Sequence, residues 1–75
     1  MADTKSVEWQ LLRLKTAFKV TADKDLAKSL DVSSQSVASA KKKGKINPEW
    51  FMKTAEKVNA SIDWLVYGVG NPYRA

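Results

Sequence analysis

Apolar residues along this chain recur at intervals of three and four, and no run of period-two alternation is long enough to make a strand. Val7, Leu11, Leu14 and Phe18 are spaced by four, three and four, which stacks them on one face of a first helix. Thr21 or Asp23 is placed to cap a second helix of roughly two turns, presenting Leu26, Ala27 and Leu30, with Asp23 and Asp25 near the positive end of its dipole. After Asp31 and Val32, Ser33 reads as the N-cap of a third helix that runs through Val37 and Ala40 to about Lys42 and is closed by Gly44. Asn47, Pro48 and Glu49 combine a capping side chain, a proline at the first helical position and an acid in the first turn. They start a fourth helix that carries Trp50, Phe51, Ala55 and Val58 inward and stops near Asn59. Ser61 caps a fifth, containing Ile62, Trp64 and Leu65 and ending at Gly68. Residues 69–75, with Gly70 and Pro72, read as a tail. The expectation is an all-α, compact five-helix fold in one domain over 1–75, with its core at about 7–68.

The joint between the second and third helices is the informative part. Ala27 is a small residue where two helices must approach closely, flanked by the core positions Leu26 and Leu30. The turn at Asp31 comes four residues later, then Val32, then Val37 ten residues after Ala27 and Ala40 three beyond that. This is the spacing of a helix-turn-helix, in which buried positions prop the second helix against the first and leave its opposite face free. The free face is built from Ser34, Gln35, Ala38 and Ser39.

Charge sharpens this picture. The net charge is +5, yet residues 1–32 hold six basic and five acidic groups, and residues 47–75 hold three of each. The excess lies in Lys41, Lys42, Lys43 and Lys45, within a carboxylate-free stretch. A one-sided cationic patch on a balanced surface points to a polyanionic partner. Without cysteine or histidine there is no disulfide, zinc-finger or iron–sulfur chemistry, no thiol nucleophile and no imidazole base. Asp23 with Asp25, and Glu49 with Glu56, read as caps and solvated surface instead of catalytic pairs. No enzyme activity, metal, cofactor or small-molecule substrate is expected, and no apolar run is long enough for a membrane span or signal core.

Short polar side chains let a helix backbone lie deep in a major groove about 12 Å wide. Ser34, Gln35, Ala38 and Ser39 are the expected base-contacting residues, with the Gln35 amide suited to an adenine edge. Ser33, Ser36, Lys41, Lys42, Lys43 and Lys45 are the expected contacts to the DNA backbone, the serines at a helix N-terminus that favours phosphate. Successive residues turn by about 100°, so the three consecutive lysines cannot all face one strand, and two are expected to touch phosphate. Trp50 and Trp64 read as core, and Trp9 lies off the Val7 and Leu11 face.

From about Arg13 to Gly70 the chain resembles the N-terminal DNA-binding domain of phage and prophage repressors of the CI type. The resemblance is carried by Arg13-Leu14-Lys15, Asp25-Leu26-Ala27-Lys28-Ser29-Leu30, Val32-Ser33 with Ser36-Val37, and the lysines before Gly44. It continues through Ile46, Pro48-Glu49-Trp50, Ala55-Glu56-Lys57 and Ser61-Ile62-Asp63-Trp64-Leu65 to Gly68. It implies a lambda-repressor-like fold that binds double-stranded operator DNA as a homodimer and represses transcription, in the cytoplasm of a bacterial host with the nucleoid. It also implies that Ser34, Gln35 and Ser39 face bases and that Lys41 to Lys43 lie near the backbone. Asp31 departs from the usual glycine at the turn, and Ala40 from a tryptophan common late in the recognition helix. Family members usually carry a C-terminal oligomerisation domain, and this chain reads as stopping where the linker to one would begin. The residues leave two alternatives open: an activator or excision regulator on the same scaffold, or a helical protein-interaction module whose lysines meet an acidic partner.

Overall fold

The computed structural model of the chain describes residues 7–73. Among them five helices follow in order: α1 (Val7–Phe18), α2 (Asp23–Leu30), α3 (Ser34–Lys43), α4 (Pro48–Val58) and α5 (Ile62–Tyr67). The all-α expectation holds, and the starts of α3, α4 and α5 are set by the caps read from sequence. Ser33 accepts from the Ser36 N–H, Asn47 from that of Glu49, and Ser61 from that of Trp64. The start of α2 differs. Its N-cap is Ala22, which offers no side-chain acceptor, so neither Thr21 nor Asp23 caps it. Asp23 lies inside the first turn, where two lysines take its carboxylate.

Each helix is followed by a residue with left-handed backbone: Lys19, Asp31, Gly44, Asn59 and Gly68. Asp and Asn tolerate that conformation through their short polar side chains, whereas Lys19 bears the full penalty of about 1 kcal/mol. Its position is fixed by two hydrogen bonds that close the turn, Lys19 N–H to Thr16 O and Val20 N–H to Lys15 O.

α1 is the central element and packs against all four others. Leu11, Leu14 and Ala17 meet Leu26, Ala27 and Leu30 of α2, Val37 and Ala40 of α3, Trp50 and Phe51 of α4, and Leu65 of α5 in one core. Trp50 is buried, Trp64 is half-buried against the same core, and Trp9 is exposed. Ile46 and Ala60 are also buried, although they lie in connecting loops where helical periodicity gives no signal. Thr54 is buried on α4, and its hydroxyl donates to the Trp50 carbonyl at 2.7 Å, which removes the cost of an unpaired group. Ile62, placed in α5 as expected, is largely exposed.

The buried Arg13 ties α1 to α5. Arg13 projects from α1 beneath the C-terminal end of α5, where its Nε donates to Leu65 O and its Nη2 to Val66 O, each at 2.9 Å. Those are carbonyls that the end of a helix leaves without an intrahelical partner, at the negative end of its dipole. Gln10 adds a longer bond to Val66 O at 3.3 Å. Gly68 fits the same arrangement: its φ is +74°, and an added Cβ would meet Arg13 Nη1 at 3.0 Å. Gly68→Ala is therefore expected to cost about 1–2 kcal/mol, from backbone strain plus displacement of the guanidinium. A urea titration reads this as a lower midpoint at unchanged slope.

Of the segment expected as a tail, residues 69–73 are described and have no helix. They fold back on the body: the Ser61 N–H donates to Pro72 O, Ala60 and Tyr73 form an antiparallel bridge, and the Tyr73 hydroxyl donates to Ala17 O.

Candidate nucleic-acid interface

The turn between α2 and α3 fixes the presentation of α3. Asp31 takes φ +60°, and the Val32 N–H closes back on Ala27 O at 2.9 Å. Two lysines of α4 hold the far side of this joint. Lys53 Nζ donates to Leu30 O at 3.1 Å, while Lys57 Nζ donates to Ser29 O at 2.9 Å and pairs with Asp31 Oδ2 at 2.7 Å. They sit at the negative end of the α2 dipole, so they complement the helix terminus and lock α2 to α4 at once. The hydrogen bond from Lys57 holds the Asp31 carboxyl below its ordinary pKa. Sequence reading counted both lysines as balanced surface charge.

On α3, Val37 is fully buried and Ala40 nearly so, and these two positions define the inner side. At about 100° per residue, Gln35, Ala38, Ser39 and Lys42 centre on the opposite side, with Ser34 and Lys41 along one edge and Ser36 and Lys43 along the other. Ser34, Gln35, Ala38 and Ser39 are all exposed. No hydrogen bond or ion pair among the described residues holds the side chains of Ser34, Gln35, Ser39, Lys42, Lys43 or Lys45. They stand ready for an external partner.

The remaining polar groups of the region are partly committed. The Ser33 hydroxyl caps α3 and lies 3.0 Å from that of Ser36. One of the pair's two hydroxyl protons is used between them, which leaves the other free to donate outward. Lys41, by contrast, is bound to Asp23 at the start of α2. Asp23 Oδ1 faces Lys15 Nζ of α1 at 2.6 Å, so one carboxylate joins three helices. The hydrogen bonds from Lys15 and then from Lys41 lower the Asp23 pKa against the opposing effect of partial burial.

Two surface hollows flank α3. One is lined by Ser36, Ser39, Lys43 and Lys45 together with Asn47 and Trp50. Ala40, at the inner side of α3, and Trp50 of α4 line the same hollow. The other lies beyond the α3 N-terminus between Ser33, Ser34, Lys24 and Lys28. Lys24 and Lys28 escaped sequence reading because α2 is charge-balanced as a segment. Their common face follows from their i, i+4 spacing once the orientation of α2 is known.

The geometry is an exposed polar helix, braced from behind and bordered by cations on two sides. A scan of family models matches residues 10–73 to the bacteriophage CI repressor helix-turn-helix domain. The chain belongs to that family. The match covers the span inferred from sequence motifs and extends it by three residues at each end. Searches of curated proteins and of solved structures returned no match. CI-type domains are DNA-binding transcription regulators whose partner is double-stranded DNA, and the family is not typically one of enzymes. Among the described residues no cluster of three or more carboxylates could hold a metal ion. No helix among them is long and apolar enough to cross a membrane.

Proposed function

We propose that this domain, taken as a single unit over 1–75, is a sequence-specific reader of operator DNA that represses transcription by occlusion. Two copies dock α3 in successive major grooves about 34 Å apart and exclude polymerase from a promoter. This puts the protein with the bacterial chromosome in the host cytoplasm. The observation that carries the reading is the face of α3. Its short polar side chains are exposed and uncommitted while Val37 and Ala40 are buried behind them.

In this reading Ser34, Gln35, Ala38 and Ser39 contact base edges, with Gln35 bidentate to an adenine. Ser33, Ser36, Lys42, Lys43 and Lys45 contact phosphate, and Lys24 and Lys28 extend the cationic border on the α2 side. Of the three consecutive lysines, Lys42 and Lys43 are the two that meet phosphate, because Lys41 is taken by Asp23.

Gln35→Ala tests the reading directly. Selection of bound duplexes from a random library is expected to yield a palindromic consensus. Against that consensus the variant loses discrimination at one base pair per half-site, by about 1–3 kcal/mol, with little change in affinity for random DNA. A module that grips an acidic protein through its lysines would give no consensus and would not register this substitution.

A further inference from the structure

The cluster of Lys15, Asp23 and Lys41 is a polar assembly beside α3 that the proposed DNA contacts leave unused. It joins α1, α2 and α3 at one edge of the exposed helix. Lys41 follows Ser34 and Ala38 at the i, i+4, i+7 spacing, so the three form one stripe along α3. In the operator-reading arrangement proposed above, a duplex seated on the α3 face brings its backbone near Lys41, the last residue of that stripe, and near the carboxylate that Lys41 holds. Glu8, Lys15 and Lys41 are among the residues that line the adjoining hollow.

We propose that Asp23 is an affinity-restraining residue: it holds Lys15 and Lys41 in a shared ion-pair cluster and withdraws Lys41 from the phosphate-binding set. This rests on the operator-reading function above and adds a control on it. Two ammonium groups and one carboxylate leave the cluster with a single net positive charge. Lys41 has three N–H donors, but while one is held by Asp23 its charge is offset, and a phosphate brought to it meets the carboxylate as well. Contacts to phosphate strengthen binding to every sequence alike, so each added cation raises the amount of protein held on non-target DNA. Asp23 limits that sequence-blind component while leaving Gln35 and its neighbours untouched.

The test uses random-sequence duplex and the dependence of binding on salt. Asp23→Asn, which keeps size but removes the charge and one of the two acceptor oxygens, is expected to raise affinity about five- to tenfold at 0.1 M salt and to steepen the log–log slope by about 0.9. Lys41→Ala in the Asp23→Asn background is expected to cancel both gains. A second comparison leaves Asp23 intact. In the otherwise unaltered protein, Lys41→Ala is expected to change the slope by less than half as much as Lys42→Ala, both being exposed positions whose loss leaves the core alone. A Lys41→Ala effect equal to that of Lys42→Ala would overturn the proposal, as would an unaltered slope in folded Asp23→Asn. An unchanged slope in Lys42→Ala would remove the phosphate-binding set from which Lys41 is withdrawn, and this proposal with it, whereas failure of the operator-reading function would show separately as the lack of any selected consensus.

Discussion

Replacing Lys42 and Lys43 together with alanine is expected to weaken binding to every duplex by roughly fiftyfold at 0.1 M salt, with a drop of about 1.8 in the log–log salt slope. Each lysine that neutralises a phosphate releases condensed counterions, and that release scales with the number of phosphates engaged, irrespective of sequence. The preferred sequence should therefore be retained while affinity falls. Both side chains are exposed and bound to no described group, so the unfolding midpoint should move by less than about 0.5 kcal/mol equivalent. Filter binding or fluorescence anisotropy over a salt series checks the slope, and the same series on Gln35→Ala should show it unchanged. An unaltered slope in the double variant would remove the phosphate-contacting role assigned to the end of α3.

The largest expected effect on stability belongs to a residue far from that face. Arg13→Ala removes the two charge-assisted hydrogen bonds to the end of α5, strands the Leu65 carbonyl where it is buried, and leaves the partly buried Val66 carbonyl only its longer bond from Gln10. A hydrogen bond to a charged group contributes about 1.5–3 kcal/mol, and a carbonyl left unpaired under cover adds its own desolvation cost. A loss of about 3 kcal/mol is expected. In a domain whose total stability lies at about 5–15 kcal/mol, this is a large fraction. Arg13→Lys should restore only part, because a single ammonium cannot span both carbonyls as the planar fork does. Arg13→Met should restore packing without the hydrogen bonds and fall between alanine and lysine. Equal urea midpoints for the unaltered protein and its Arg13→Ala variant would show that α5 is held by its apolar contacts alone. Desolvation lowers the Arg13 pKa, but a guanidinium is not deprotonated in proteins, so the clasp should be insensitive to pH across the neutral range.

Much of the fold was legible because its signals are local. Ser33, Asn47 and Ser61 set helix starts through bonds to amides two or three residues away, and Val37 and Ala40 keep a helical phase that marks the buried side of α3. The left-handed turn at Asp31 follows from its place between two periodic runs, even without glycine. Where a local signal competed with a distant partner, the distant partner won. Asp23 has the chemistry of a cap, but Lys15 and Lys41 approach its carboxylate from α1 and α3, and Ala22 takes the cap position without a side-chain bond. Tyr73 sits in a segment with no periodicity, yet its hydroxyl reaches Ala17 O across the molecule.

The sequence by itself determined the five helices, the helix-turn-helix joint and the identity of the exposed face of α3, because each depends on residues close together along the chain, within about thirteen positions even for the joint from Ala27 to Ala40. Only the tertiary structure decided which lysines are free. Lys41, Lys42 and Lys43 are chemically identical neighbours, and what separates them is a carboxylate eighteen residues from Lys41 along the chain but in direct contact with it in the fold. The same holds for Arg13, Lys53 and Lys57, whose partners are backbone carbonyls. Every residue type carries such a carbonyl, so composition gives no trace of the pairing until packing brings the two together.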